Sequence, residues 1–322
     1  MTVLLPSQSR KKKMILNSQP KLNIGFIGLG MMGCGMARHV LAKGHLVGLL
    51  VRSQVGEARC ADLLAAGARS LATSANVAAM ADVLIICVTG SPEVEEVVLG
   101  QNGVLEGVKP GCVVVDCSTS QPDSTRHLAT AIAAKGALFL DAALTGTPKH
   151  AEEGQLNLLV GGDKAVLERV RRVFELFAKN IYYCGEVGAG HTTKLLHQFV
   201  VLGNAAILSE AISCASKTGV NLEVLCDVID SGGANSTAFQ RLRPYVIEGN
   251  DQMFRFSIGN AHKDMRYYAR MTDEAKAVSF LGDAVHNIYT VATNQGYTQQ
   301  FIPHLINSLN TLNGTTLEHN NS

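Results

Sequence analysis

The chain has 322 residues, of which 47% are hydrophobic and 17% charged, with a formal net charge of +1. The length suggests two domains, and the balance supports a large buried core and excludes a globally disordered chain. A charge this close to zero supplies no field for nucleic acid or an anionic membrane surface, so neither is expected as a partner.

Residues 1–20 carry Arg10, Lys11, Lys12 and Lys13 without a regular apolar period and read as a disordered basic leader. Met14-Ile15-Leu16 is too short for the apolar core of a secretory signal, roughly 7–15 residues. An apolar run over 22–27 predicts a buried strand ending at Gly28. Helical spacing over 31–43 stops at Gly44, and 45–51 is the next strand. A helix over 56–66 is stopped by Gly67, buried strands follow over 83–88 and 112–116, and a helix over 123–135 stops at Gly136. Further strands are expected over 137–141 and 156–160. Strands alternating with helices predict a parallel sheet with right-handed crossovers.

The texture changes after Gly190. A helix over 191–218, apolar nearly all round, predicts burial on most sides. Helices are then expected over 221–231, 236–248, 260–271, 280–295 and 301–309, and the last stretch, 311–322, reads as a polar, disordered tail. No run of about 18 consecutive apolar residues appears, so no membrane span is expected. The eight cysteines form no CxxC pair and no Cys/His cluster with zinc-ligand spacing. Reduced thiols, a cytoplasmic location and no metal are the expectation.

Gly28-Leu29-Gly30-Met31-Met32-Gly33 is GxGxxG between a predicted strand and a predicted helix. Gly28 permits the tight turn, Gly30 lets the backbone approach a pyrophosphate, and Gly33 lets helix and strand pack closely. The helix N-terminus offers free N–H groups and a partial positive charge. A dinucleotide site is expected over Gly28–Gly33. At the end of the second strand an acidic residue would bond the ribose 2′-OH of NAD. Arg52-Ser53 stands there instead, and a guanidinium suits the 2′-phosphate of NADP. NADP is the favoured cofactor and NAD the alternative, because Arg52 could equally stack on adenine or be solvated.

The chain resembles the β-hydroxyacid dehydrogenase family, which includes 3-hydroxyisobutyrate dehydrogenase, tartronate semialdehyde reductase and, more distantly, 6-phosphogluconate dehydrogenase. Four blocks carry the likeness in the family's order: GLGMMGCGMA over 28–37, DCSTSQP over 116–122, DAALTGTPKHAEEGQLNLLVGG over 141–162 and GAGHTTKLLHQ over 188–198. The strand–helix alternation and the change of texture near residue 186 predict an α/β chain with an N-terminal Rossmann doubly wound domain over 21–186 and an all-α substrate and oligomerisation domain over 187–310, joined by a long interdomain helix, and the resemblance covers nearly all of it. The resemblance implies hydride transfer between nicotinamide and the alcohol carbon β to a carboxylate, with Lys194 as general acid/base. It implies that Ser118 and the Thr145-Gly146-Thr147 turn hold the substrate carboxylate, and that Val88, Thr89, Thr119 and Lys263 contact the cofactor.

Alcohol oxidation requires a proton to leave the hydroxyl, and the group receiving it should titrate near working pH. A free Lys titrates near 10.4; burial and a neighbouring positive charge would lower Lys194. Alone, Lys194 could equally snorkel from a helix end. His197 and Gln198 follow three and four residues later and can share its helix face as substrate contacts. The family's usual Lys-x-x-Asn is here Lys-x-x-His, and its Ser-Gly-Gly is Thr145-Gly146-Thr147 followed by His150, so a tighter or more polar pocket is expected. Lys263-Asp264 reads either as a cap over the nicotinamide ribose or as a surface ion pair. Two other readings stay open: an imine reductase-like NADPH enzyme, against which Lys194 speaks, and a non-catalytic cofactor-binding scaffold. The long apolar helix needs covering surface, so a homodimer or homotetramer is expected.

Overall fold

A computed structural model of the chain describes residues 21–51 and 54–317, with 54 and 55 described through their backbone alone. The expected leader over 1–20, the Arg52-Ser53 pair and residues 318–322 lie outside the described residues.

The first half alternates strands and helices: β1 (Asn23–Ile27), α1 (Met31–Ala42), β2 (Leu46–Leu50), α2 (Gln54–Arg59), α3 (Ala61–Ala65), β3 (Arg69–Leu71), α4 (Ser74–Met80), β4 (Val83–Ile86), α5 (Ser91–Leu99) and α6 (Val104–Gly107). β5 (Val113–Asp116), α7 (Pro122–Ala133), β6 (Leu138–Thr145), α8 (Pro148–Glu152), β7 (Leu156–Gly162), α9 (Lys164–Phe174) and β8 (Ala178–Gly185) complete it. The strands form one sheet in the order β3-β2-β1-β4-β5-β6-β7-β8. Successive side chains leave a strand on opposite faces. Ile24, Phe26, Ile85 and Val115 accordingly enter one core, and Ile27, Leu84, Ile86 and Val114 the other. Helices cover both faces, which is why β4 and β5 are apolar runs rather than alternating ones.

Two expectations for this half need correction. The sheet is not wholly parallel, because β6 and β7 pair antiparallel. The connection between them holds only the five-residue α8, and a parallel crossover needs about a dozen residues or more. The helix expected over 56–66 is two short ones broken at Cys60, whose N–H bonds both the Gly56 and Glu57 carbonyls before α3 starts.

The second half is helical: α10 (Ala189–Thr218), α11 (Leu222–Ser231), α12 (Thr237–Glu248), α13 (Ile258–Glu274), α14 (Phe280–Asn294) and α15 (Leu305–Asn313), with 3-10 turns at Asp251–Phe254, Tyr297–Gln299 and Ile302–His304. α10 is long and apolar enough by length and composition to cross a membrane, although it holds no run of about 18 consecutive apolar residues; half of its most apolar window is buried inside the protein. It packs against β6 and β7 at its start and against α12, α13, α14 and α15 further on. Leu195, Leu202 and Ile212 enter the second domain's core with Phe239, Met265 and Tyr289. The expected disordered tail begins too early. α15 runs to Asn313, whose side chain donates to Ser213 Oγ at 2.9 Å, and Leu317 packs on the helical core.

Candidate active site

β1 lies between β2 and β4, so the crevice at the carboxyl ends of β1 and β4 is where the strand order reverses, the usual ligand position in such sheets. The glycine loop leaves β1 there. Gly28 has φ +94°, and a Cβ on it would lie 2.2 Å from the Cys87 carbonyl oxygen. A Cβ on Gly33 would stand 2.0 Å from the Gly28 carbonyl, so only glycine lets α1 approach β1 this closely. Gly30 is different: a Cβ there would meet nothing within 4 Å. Gly30 also caps α1 without a side-chain hydrogen bond, so the first-turn N–H groups face an open cradle. An open backbone cradle at a helix N-terminus fits a pyrophosphate. Leu29 is buried, whereas Met31 is 55% exposed at its rim.

The loops after β4 and β5 form the next wall. The Val88 N–H donates to Ser118 Oγ at 3.0 Å, a bond that does not use the Ser118 hydroxyl hydrogen. Asp116, fully buried at the end of β5, accepts from the Ser118 N–H at 2.9 Å and the Ser120 hydroxyl at 3.0 Å and so fixes this loop. Thr119 is half-buried between them.

Lys194 sits in the second turn of α10 and is 9% exposed. Its Nζ donates to Gln198 Oε1 at 3.1 Å. Gln198 Nε2 donates to Asp264 Oδ2 at 2.7 Å, and Lys263 Nζ lies 3.2 Å from Asp264 Oδ1. Lys263 Nζ also donates to the Thr89 carbonyl. A continuous polar chain thus runs from α10 through α13 to the β4–α5 loop. It fixes the Gln198 amide, because Nε2 must face the carboxylate, so Oε1 must face Lys194. Asp264 is 1% exposed, which removes the surface-ion-pair reading of Lys263-Asp264. Burial pushes the Lys194 amine down to about 8; Asp264 opposes the shift and Lys263 adds to it. His197 is the exposed member of the helix face, with Nδ1 3.3 Å from Gln198 Oε1. Burial, then the Lys194 charge, holds it below the usual histidine range.

The third wall follows β6. Gly146 has φ +123°, which favours glycine. Thr145 Oγ1 accepts from Asn157 Nδ2 at 3.0 Å and keeps its hydroxyl hydrogen. Thr147 does not: His150 Nδ1 lies 3.1 Å from its N–H and 2.7 Å from its Oγ1. Nδ1 must accept from the N–H, so it accepts the hydroxyl as well, and both Thr147 donors are engaged in starting α8. The expected extra polarity at Thr147 and His150 is therefore turned inward.

Residue types alone did not single out the clamp between the two domains. Asp141, fully buried on β6, accepts from the Gly188 N–H at 2.8 Å and the His191 N–H at 2.9 Å, holding the start of α10. His191 is buried with it; its Nδ1 is 2.7 Å from Thr125 Oγ1 and its Nε2 3.8 Å from Asp116 Oδ2. A signal existed, since both aspartates end or interrupt apolar strand runs, where a charge needs dedicated partners. No cluster of three or more metal-ligating side chains occurs among the described residues.

Comparisons with known proteins agree with this layout. Residues 23–185 match the model of the NAD-binding domain of 6-phosphogluconate dehydrogenase, and residues 188–308 match the model described as NAD-binding of NADP-dependent 3-hydroxyisobutyrate dehydrogenase. The chain is 37% identical to 2-hydroxy-3-oxopropionate reductase of Escherichia coli, over 67% of this chain and 72% of the relative. It is 34% identical to 2-(hydroxymethyl)glutarate dehydrogenase of Eubacterium barkeri, over 77% of this chain and 81% of the relative. The crystal structure of 3-hydroxyisobutyrate dehydrogenase from Salmonella typhimurium superposes with a TM-score of 0.78 at 29% identity, covering 89% of this chain and 99% of that one.

Proposed function

The chain belongs to the β-hydroxyacid dehydrogenase family, an NAD(P)-binding oxidoreductase family, and from that premise we propose that it interconverts a small β-hydroxyacid and its semialdehyde or keto acid, with Lys194 moving the proton. One observation carries the reading: a buried amine held near pH 8 on the Lys194–Gln198–Asp264 chain. The glycine loop and Lys263 would hold the dinucleotide, whose nicotinamide would supply hydride exchange at the substrate carbon. Lys194 takes the hydroxyl proton in oxidation and returns it in reduction. The free hydroxyl hydrogens of Ser118 and Thr145 hold the substrate carboxylate, with Gly146 giving the turn its shape; Thr147 supports that turn by starting α8. Gln198 orients the amine, and His197 lines the open side.

A panel of three- to six-carbon β-hydroxyacids and semialdehydes with NADPH or NADH tests the reaction class; turnover of none would sink it. The pH dependence has a definite sign. Oxidation needs neutral Lys194, so its kcat/KM rises with pH through about 8; reduction needs the ammonium and falls above about 8. Initial-rate profiles in both directions check this, and parallel rather than opposed profiles contradict it.

The cofactor preference rests on Arg52. The expected result for Arg52→Ala is a KM for NADP raised by on the order of tenfold or more with little change for NAD, as loss of one charge-assisted phosphate contact implies. Equal effects on both cofactors refute the 2′-phosphate assignment. The quaternary proposal rests on the exposed side of α10, where the apolar Leu196, Val200 and Ile207 are 47%, 59% and 63% exposed. We expect light scattering to give a homodimer or homotetramer; a monomer contradicts it.

A further inference from the structure

Beneath the glycine loop lie two cysteines that hydride transfer does not use. Cys34 is in the first turns of α1, and Cys60 precedes α3. Both are buried, and their sulfurs stand 2.7 Å apart. That is inside the roughly 3.5–4.0 Å at which non-bonded carbon atoms rest, and one thiol donates to the other. Cys34 Sγ also lies 3.4 Å from the carbonyl of Leu29, a residue of the glycine loop, and donates to it. Arg59, the neighbour of Cys60, donates to the same oxygen at 3.3 Å. Arg38 closes the ring, contacting the Arg59 carbonyl at 3.4 Å and Asp62 at 2.6 Å. The sulfur pair is therefore wired to the backbone of the dinucleotide loop from both sides.

We propose that Cys34 and Cys60 form a modification site, oxidised by a hydroperoxide to a disulfide that distorts the dinucleotide loop and weakens cofactor binding until a thiol reductant reopens it. The step balances. Cys34 sulfur attacks the peroxide O–O bond, an S–O bond forms, and the other oxygen leaves as alcohol or water with the Cys34 proton. Cys60 sulfur then attacks Cys34 sulfur; the S–O bond breaks and hydroxide departs as water with the Cys60 proton. Two thiols lose two electrons and one hydroperoxide gains them. Cys60 acts second because its proton is held: burial, then the bond its S–H donates to Cys34, pushes the Cys60 thiol up to about 12. Access comes through α2 and α3, which are six and five residues long with Glu57, Ala58 and Arg59 exposed; such short pieces open locally at low cost. Closing the bond draws the sulfurs to about 2.05 Å, ends the Cys34 donation to Leu29 and ties α1 to α3.

The proposal needs only the dinucleotide role of the loop, not the substrate or the role of Lys194. The test treats the full chain with hydrogen peroxide, alkylates the remaining thiols and digests with trypsin. NADPH and NADH affinities are titrated by fluorescence before oxidation, after it, and after dithiothreitol. The expected result is a linked pair of peptides 22–38 and 60–69, two hydrogens lighter than their sum. Both dissociation constants rise by about fivefold or more and return under reductant. Cys60→Ala, measured alongside, keeps its affinity in peroxide. No linked pair, a linked pair with unchanged affinity, or the same loss in Cys60→Ala overturns the proposal. The wild-type arm stands without the variant. Failure of the untreated chain to bind either cofactor would instead strike at the proposed function.

Discussion

Lys194→Met is expected to lower kcat by on the order of 10²–10⁴ in both directions, to leave cofactor affinity unchanged, and to raise stability at neutral pH. The first effect follows from the proton-transfer role proposed for Lys194. The third follows from linkage. The folded chain holds Lys194 at about 8, against 10.5 for the free side chain. Below pH 8 the amine is charged in both states, and folding bears the full cost of burying it, about 3 kcal/mol at roughly 1.4 kcal/mol per pKa unit. Between pH 8 and 10.5 the unfolded chain binds the extra proton, so wild-type stability rises with pH across that window and the cost is gone above it. Met fills a similar volume without a charge. It leaves Gln198 Oε1 with only His197 nearby, which offsets part of the gain. The net expectation is roughly 1–2 kcal/mol of stabilisation at pH 7. Denaturation of both chains at pH 7 and pH 10.5 checks this: the gap should narrow at the higher pH. A kcat within threefold or so of wild type would falsify the proton-transfer role, whatever the stability.

Asp141→Ala should be among the most damaging substitutions in the chain. It strips two buried N–H groups at the start of α10 of their acceptor and leaves His191 in an enclosed space. At roughly 1–3 kcal/mol for each orphaned donor, plus the cavity, the loss is on the order of 3–5 kcal/mol. The packing leaves no slack for repair, since a Cβ on Gly190 would lie 2.3 Å from the Leu159 carbonyl and 2.8 Å from Asp141 Oδ2. The same residue joins β6 to the helix bearing Lys194, so any surviving fold should show a lower kcat as well. Asp141→Asn keeps one acceptor oxygen and should recover part of both losses. Chemical denaturation and steady-state rates measure the pair; an Asp141→Ala chain as stable as wild type rules out the clamp.

The elements differ in how legible they were. The buried strands β1, β2, β4 and β5 read directly off apolar runs, because a sheet covered on both faces has no polar side to interrupt them; the short, exposed β3 offered no such run. The glycine loop read equally well: Gly28 and Gly33 are steric necessities written in residue type. The break at Cys60, the direction of β7 and the continuation of α15 past residue 310 were not visible. Each depends on which distant surface the segment meets rather than on its own propensity.

The site divides along the same line. Local spacing put Lys194, His197 and Gln198 on one helix face, and the four blocks indicated the chemistry. Spacing could not say that Gln198 is clamped by Asp264, that Lys263 reaches the Thr89 carbonyl, or that Thr147 turns its donors toward His150. Nor could it show that Asp116 and Asp141 are fully buried. Those facts join residues up to 174 positions apart. The sequence by itself determined the two-domain α/β plan, the dinucleotide loop and the helix carrying the amine, because periodicity and glycine sterics act over a few residues. Only the tertiary structure decided the environment of Lys194, and with it the downward push on its amine, because burial and partner charges exist only once the chain has closed on itself.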